Sequence, residues 1–207
     1  MESTRSESGI RDASLRLSVH WAPSGNGQIV LVIRPFLSHP ESWYQKGVAL
    51  RSTVYRRPSP KAVNPQTKAS QYVSGVLAVL DTAQDGASPP DDRPHELVFF
   101  GPGGTVAEGM VSNIFIVRKK SLLTPSVSSG ILKGVTRAWV LKLARKRGWT
   151  VRETFLTRHD VYTAEECFIT NTSSEVLPVV SVDGRKVGDG KPGPFTQALR
   201  EDFKRSR

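Results

Sequence analysis

A proline-rich segment near the end of the first third of the chain constrains the fold more than any other feature. Residues 56–66 read RRPSPKAVNPQ, with three prolines among eleven residues. Proline removes a backbone donor and fixes φ, so neither a helix nor a central strand continues through such a run. The segment therefore predicts a linker, with a smaller domain at 1–60 and a larger one at 61–207.

Apolar alternation predicts a hairpin ahead of this linker. Leu15, Leu17 and Val19 alternate with polar residues, and a β-branched apolar run follows at 28–35 after a Pro-Ser-Gly-Asn-Gly turn. A third strand is expected just before the linker. The polar residues at 1–12 predict a disordered leader without the apolar core of a secretory signal.

The larger part mixes helices with strands. Apolar residues at helical spacing predict a helix at 68–80 and a buried face on it, formed by Tyr72, Val73, Val76, Leu77 and Leu80. Two more helices are predicted at 136–147, ended by Gly148, and at 195–205. Strands are predicted at 96–100, 105–117, 150–155, 167–171 and 176–182. This mixture, with several antiparallel pairs, indicates the α+β class.

Composition excludes several classes of protein. Cys167 is the only cysteine among 207 residues, which excludes an intramolecular disulfide and fits a reducing compartment, so a cytoplasmic location is expected. No run approaches the ~18 apolar residues of a membrane span. The net charge of +10 raises nucleic acid as a partner. Its basic residues lie in short separate clusters without zinc-finger spacing or an RNP motif, which favours a solvated basic surface instead.

Three local patterns are candidates for chemistry. Gly134 precedes a predicted helix, so the amides of Val135 and Thr136 lie free at its positive end and form a possible anion site. The hydroxyl-rich run at 170–175 is either a phosphate loop or a plain Asx turn. Glu108, inside an apolar stretch, either faces solvent or pairs with a cation. Four scattered histidines and one cysteine predict no metal site.

In their order along the chain, these patterns resemble the signature of fold-type IV (class IV) pyridoxal-phosphate enzymes. The matching strings are AEGMVSNIF (107–115), LTP (123–125), GILKGVTR (130–137), AEECFITNT (164–172), PV (178–179) and GKPGP (190–194). The family includes branched-chain and D-amino-acid aminotransferases and aminodeoxychorismate lyases. The resemblance implies a large domain of mixed sheets in a barrel-like arrangement with flanking helices, preceded by the remnant of a small N-terminal α/β domain.

The resemblance also implies roles for individual residues around pyridoxal 5'-phosphate. Lys68 matches the lysine that forms the Schiff base with the cofactor and shuttles the substrate proton. Glu108 matches the glutamate that pairs with the pyridine nitrogen, and Asn113 a position with a structural role. The positions that contact the cofactor phosphate and the substrate carboxylate are matched by Gly134, Val135, Thr136, Asn171, Thr172 and Ser173.

The activity implied by the resemblance is transamination between an amino acid and a 2-oxo acid, carried out by a homodimer. The lack of a long apolar run predicts no membrane partner, and the scattered basic clusters disfavour nucleic acid. Aminodeoxychorismate lyase, which eliminates pyruvate, is the alternative within the family. The small domain's phosphate-binding arginine and substrate-pocket aromatics have no match here, so a truncated, non-catalytic paralogue is a second alternative. A binder of nucleic acid or anions that uses the basic C-terminal half is the third.

Overall fold

The first compact unit of the protein is a two-stranded antiparallel ribbon. The computed structural model describes residues 12–22, 25–68, 72–84 and 94–206, in two units whose boundary along the chain falls between His39 and Pro40. Strands β1 (Ala13–Trp21) and β2 (Gly27–Pro35) pair along their full length, which confirms the predicted hairpin. The predicted leader lies outside the described residues except for Asp12, and the domain boundary near residue 60 stays a prediction.

The second unit is built on one nine-stranded mixed sheet. Its strands are β3 (Val48–Arg56), β4 (Glu96–Phe100), β5 (Val106–Gly109), β6 (Asn113–Arg118), β7 (Ser121–Pro125), β8 (Thr150–Thr154), β9 (Glu166–Asn171), β10 (Glu175–Val182) and β11 (Arg185–Lys186). The order is β5-β4-β3-β10-β9-β6-β7-β8, with β11 paired to β10. The third predicted strand, β3, therefore lies inside this sheet, parallel to both β4 and β10.

Core clusters lie on both faces of the sheet, which explains why β4, β6 and β9 are buried apolar runs rather than alternating ones. Along β6, Ile114 and Ile116 enter one core cluster, whereas Phe115 enters the other. The side chain of Phe115 stacks on Phe168 of β9, with ring centroids 4.8 Å apart. Successive residues of a strand point to opposite faces, so the same short strands contribute to both cores.

Within the described ranges, five helices and one 3-10 turn complete this unit. They are α1 (Glu41–Lys46), α2 (Val73–Gln84), the 3-10 turn Val127–Ser129, α3 (Val135–Lys146), α4 (Arg158–Tyr162) and α5 (Pro194–Arg205). The predicted helices at 136–147 and 195–205 correspond to α3 and α5, with starts one residue earlier. Of the described helices, none is long and apolar enough to cross a membrane.

The predicted buried face of α2 is wrong. Val73 is 70% exposed and Val76 is 55% exposed, while Ala78 is 2% exposed and packs with Phe99. Gly75 explains the difference, because a Cβ there would lie 3.0 Å from Met110 Sδ. Small residues let the helix approach the sheet closely, and its larger apolar side chains point outward. The predicted start at 68 also differs, since α2 begins at Val73; residues 69–71 lie outside the described residues.

Candidate functional site

A cavity of about 470 Å³ lies where β5, β6 and β9 meet the start of α3 and the proline-rich segment. This volume is within the usual range of small-molecule sites. Seven of the eight residues singled out by sequence line it: Lys68, Glu108, Gly134, Val135, Thr136, Asn171 and Thr172. Ser173 is outside the lining, and its amide donates to Asn171 Oδ1 at 2.9 Å. The structure thus gathers positions that lie far apart in the sequence.

Glu108 is a buried carboxylate held at the end of β5. Its Oε1 lies 3.3 Å from Arg57 Nη2, and its Oε2 accepts from the amide of Leu132 at 3.0 Å. Burial raises the pKa of Glu108 from 4.5 to about 7, although Arg57 and the Leu132 amide act in the opposite direction and the neighbouring Glu96 adds to the rise. Of the two expectations for this residue, pairing with a cation is the one observed.

Arg57 is the cation that sequence reasoning missed. Its Nη2 also donates to the carbonyls of Gly109 at 2.7 Å and Met110 at 3.1 Å. The guanidinium lies over the ring of Phe99, 4.7 Å from its centroid. The residue sits in the proline-rich segment, where its type and spacing carry no signal. The pairing of β3 with β4, and of β4 with β5, brings it beside Glu108.

A polar cluster fastens the start of α3 to Glu108. Asn113 Nδ2 donates to the carbonyl of Leu132 at 2.9 Å and to Glu108 Oε2 at 3.3 Å. A Cβ on Gly134 would overlap Asn113 Oδ1, so this position requires glycine for the close approach. Asn113 therefore has a structural role here, and it fixes the distance between the carboxylate and the helix.

The start of α3 lies at the cavity and carries uncapped backbone amides. Gly134 is its N-cap, and no side chain of the described residues caps the first turn. The amides of Val135 and Thr136, at the positive end of this twelve-residue helix, belong to residues that line the cavity. Asn171 and Thr172 form the adjoining wall, where Asn171 Oδ1 also accepts from Ser174 at 2.6 Å. The run at 170–175 is thus an Asx turn that borders the helix start.

Lys68 reaches the same cavity from the end of the proline-rich segment. It is exposed, and its charge opposes the rise that burial causes in the pKa of Glu108. Gln66, two residues earlier, donates through Nε2 to the carbonyl of Ile131 at 2.8 Å and accepts from the amide of Lys133 at 3.1 Å. These two hydrogen bonds tie the segment that leads to Lys68 to the loop before α3.

Other chemistries have little support in the described part of the chain. No three His, Cys, Asp or Glu residues come together there in a way that could hold a metal ion. Cys167 is buried, and burial raises the pKa of its thiol well above the ordinary value, so it is not a nucleophile in the folded state.

Comparison with known proteins gives one consistent result. The family model for "Amino-transferase class IV" matches residues 2–182. A putative branched-chain-amino-acid aminotransferase of Methanocaldococcus jannaschii is 39% identical over 160 residues, which are 77% of this chain and 53% of that protein. The branched-chain-amino-acid aminotransferase of Pseudomonas aeruginosa is 35% identical over 164 residues, 79% of this chain and 51% of that protein. This chain thus spans about half the length of the curated relatives it matches.

Solved structures show the same fold. The T.th. branched-chain amino acid aminotransferase, solved with pyridoxamine 5'-phosphate, superposes with a TM-score of 0.89 at 25% identity, covering 99% of this chain and 68% of that one. The Escherichia coli branched-chain amino acid aminotransferase gives a TM-score of 0.78 at 29% identity, covering 88% and 57%. These neighbours confirm the fold-type IV arrangement that the sequence motifs predict.

Proposed function

The chain belongs to the class IV aminotransferases, and on that premise we propose that it carries the pyridoxal 5'-phosphate site of an enzyme that exchanges an amino group between an amino acid and a 2-oxo acid. One observation carries the proposal. A buried carboxylate, a lysine and an uncapped helix start line one cavity of about 470 Å³. A pyridine nitrogen, an aldehyde and a phosphate need these three groups.

The residues present fit that cofactor at each of its reactive ends. Glu108 supplies a negative charge for a protonated ring nitrogen, and it retains acceptor capacity toward the cavity that it lines. The amides of Val135 and Thr136 supply donors for a phosphate. Lys68 supplies the amine. When bound, the cofactor supplies an electron sink that makes the α-proton of an amino acid acidic.

This chain's own residues then have defined tasks. Glu108 would hold a proton on the ring nitrogen, because a neighbouring carboxylate disfavours its loss. Lys68 would hold the cofactor through its aldehyde, and its Nζ, once free again as an amine, would move the substrate proton. Asn113 keeps Glu108 and the phosphate-binding amides at a fixed separation through its bond to the carbonyl of Leu132. Such fixed positioning lowers the entropic part of the barrier.

The names of the relatives support a branched-chain amino acid as the donor to test first. We also propose that the chain acts as a homodimer, which is supported by the exposed apolar side chains of Val73, Val76 and Leu80 on α2. A cytoplasmic location is proposed from the single buried thiol of Cys167.

The test is to load the protein with pyridoxal 5'-phosphate, reduce it with borohydride and map the modified peptide. We expect visible absorbance before reduction and a pyridoxyl group on Lys68 afterwards. K68A should lose both signals. K61A is the matched control, since Lys61 is an exposed lysine of the same segment that does not line the cavity, and it should keep both.

A second measurement separates binding from turnover. Addition of a branched-chain amino acid to the loaded protein should convert the cofactor to pyridoxamine phosphate, and a 2-oxo acid should reverse the change. Absorbance without this conversion would contradict transamination and favour a non-catalytic paralogue. Absence of absorbance in the parent protein, or its retention in K68A, would refute the proposed site.

A further inference from the structure

Two buried carboxylates lie in the field of one guanidinium beside the cavity, and Glu108 forms an ion pair with it. Glu96 is 7% exposed and Glu108 is 9% exposed. Glu96 accepts from the amide of Val111 at 2.6 Å and from Ser112 Oγ at 2.8 Å. Burial raises the pKa of both carboxyl groups, and the positive charge of Arg57 opposes that rise in each. A carboxylate is costly to bury without a countercharge, so the state of Glu108 depends on where this guanidinium lies.

The guanidinium of Arg57 is fixed in place by groups other than Glu108. The carbonyls of Gly109 and Met110 accept from its Nη2, and its Cζ lies over the ring of Phe99. The backbone amide of Arg57 donates to the carbonyl of Phe100 at 2.8 Å. An arginine held by two carbonyls and an aromatic face cannot swing away when the carboxylate moves. It therefore sets the position of Glu108 rather than following it.

We propose that Arg57 is the positioning residue for Glu108: its fixed guanidinium orients the carboxylate into the cavity and favours its ionised form beside Glu96. The groups that face Glu108 are then Arg57, Glu96, Lys68, the backbone amide of Leu132 and the side-chain amide of Asn113. Of these five, Arg57 alone both carries a positive charge and is held by the carbonyls of Gly109 and Met110. The proposal rests on the proposed function and deepens it, because an ionised Glu108 is what a protonated ring nitrogen requires.

The test follows the titration of Glu108 in the cofactor-free protein by carboxyl ¹³C NMR, with E108Q to assign the signal. We expect R57Q to shift the Glu108 midpoint upward by about one pH unit or more, since an adjacent opposite charge lowers a carboxyl pKa by about 1–3 units. R57K keeps the positive charge but loses the planar guanidinium, so its Glu108 midpoint should fall between those of the parent protein and R57Q.

R56Q is the matched control. Arg56 precedes Arg57 and lies over the ring of Phe100, 5.4 Å from its centroid, and it does not line the cavity. Its loss should leave the Glu108 midpoint unchanged. If R57Q does not fold, R57K decides: a raised midpoint supports the proposal, and a midpoint equal to that of the parent overturns it.

The cofactor-loaded protein gives a second readout. R57Q should bind pyridoxal 5'-phosphate more weakly, and the loss should grow at low pH, where Glu108 is protonated. An unchanged Glu108 titration in folded R57Q would overturn the proposal even if activity fell. Because the titration needs no cofactor, a protein that failed to bind pyridoxal 5'-phosphate would refute the proposed function and still allow Arg57 to be judged.

Discussion

Replacing Gly134 with alanine tests how tightly the start of α3 is fastened to Glu108. The backbone of Gly134 has φ −61° and ψ 141°, which alanine adopts without strain. The new methyl group would nevertheless overlap Asn113 Oδ1 and come within 3.4 Å of Asn113 Cγ. Asn113 is 5% exposed between strands, so it has little room to move. The substitution should displace its amide.

The expected cost follows from the two hydrogen bonds of Asn113 Nδ2. The bond to the carbonyl of Leu132 is worth about 0.5–1.5 kcal/mol, and the bond to the Glu108 carboxylate about 1.5–3 kcal/mol. Alanine returns about 0.4–1 kcal/mol by restricting the unfolded chain. We therefore expect G134A to lower the free energy of unfolding by about 1–4 kcal/mol.

Urea unfolding of the cofactor-free protein, followed by tryptophan fluorescence, measures this loss. G103A is the matched control, because a Cβ at Gly103 would meet nothing within 4 Å and its φ is not positive. G103A should change the free energy of unfolding by less than about 1 kcal/mol. G134A should also weaken pyridoxal 5'-phosphate binding, since the phosphate amides and Glu108 would no longer keep their separation.

The double variant N113A/G134A decides whether the reasoning is right. With the Asn113 side chain removed, the alanine methyl has space, so the double variant should be within about 0.5 kcal/mol of N113A alone. If the losses in the free energy of unfolding of N113A and G134A simply add, or if G134A is as stable as the parent, the close contact between Gly134 and Asn113 does not hold the start of α3 in place.

Three further outcomes are expected. Because the pKa of Glu108 is raised from 4.5 to about 7, the folded state holds this proton more tightly, and the free energy of unfolding should fall by about 3 kcal/mol as pH rises through that window; urea midpoints should show a smaller fall in E108Q. Glu166 accepts three hydrogen bonds at the start of α5: from the amide of Phe195 at 2.9 Å, from the amide of Thr196 at 2.8 Å and from the Thr196 hydroxyl at 2.7 Å. E166A should therefore lower the free energy of unfolding by about 3 kcal/mol in urea. A loss below about 1 kcal/mol would contradict this capping role. A thiol reagent should label Cys167 only as the chain unfolds; rapid labelling without denaturant would contradict the buried thiol.

Local signals made much of the fold and part of the site predictable. The glycine before α3 and the apolar strand before Asn171 are short-range patterns, and the structure places both at the cavity. The position of Arg57 depends instead on a pairing between strands that are distant in the sequence, which no local pattern encodes. Prolines in its segment exclude regular structure, which predicts a linker, but they do not prevent a side chain of that segment from lining the cavity.

The predicted buried face of α2 is wrong for a different reason. Apolar spacing indicates that a helix has an apolar face, but it does not say which surface covers that face. Gly75 and Ala78 make the contact with the sheet because a close backbone approach needs small side chains. The helical spacing of the apolar residues correctly predicts a helix here, whereas the predicted burial of those residues within this chain is wrong.

The parallel position of β3 has a consequence for synthesis of the chain. Its partners are β4, which begins at Glu96, and β10, which ends at Val182. The ribosome must therefore synthesise the chain as far as Val182 before β3 can pair with both neighbours. Until then β3 presents an open edge to other polypeptides. Such long-range closure is slow, so early chaperone engagement should matter more for this protein than for one built from local hairpins.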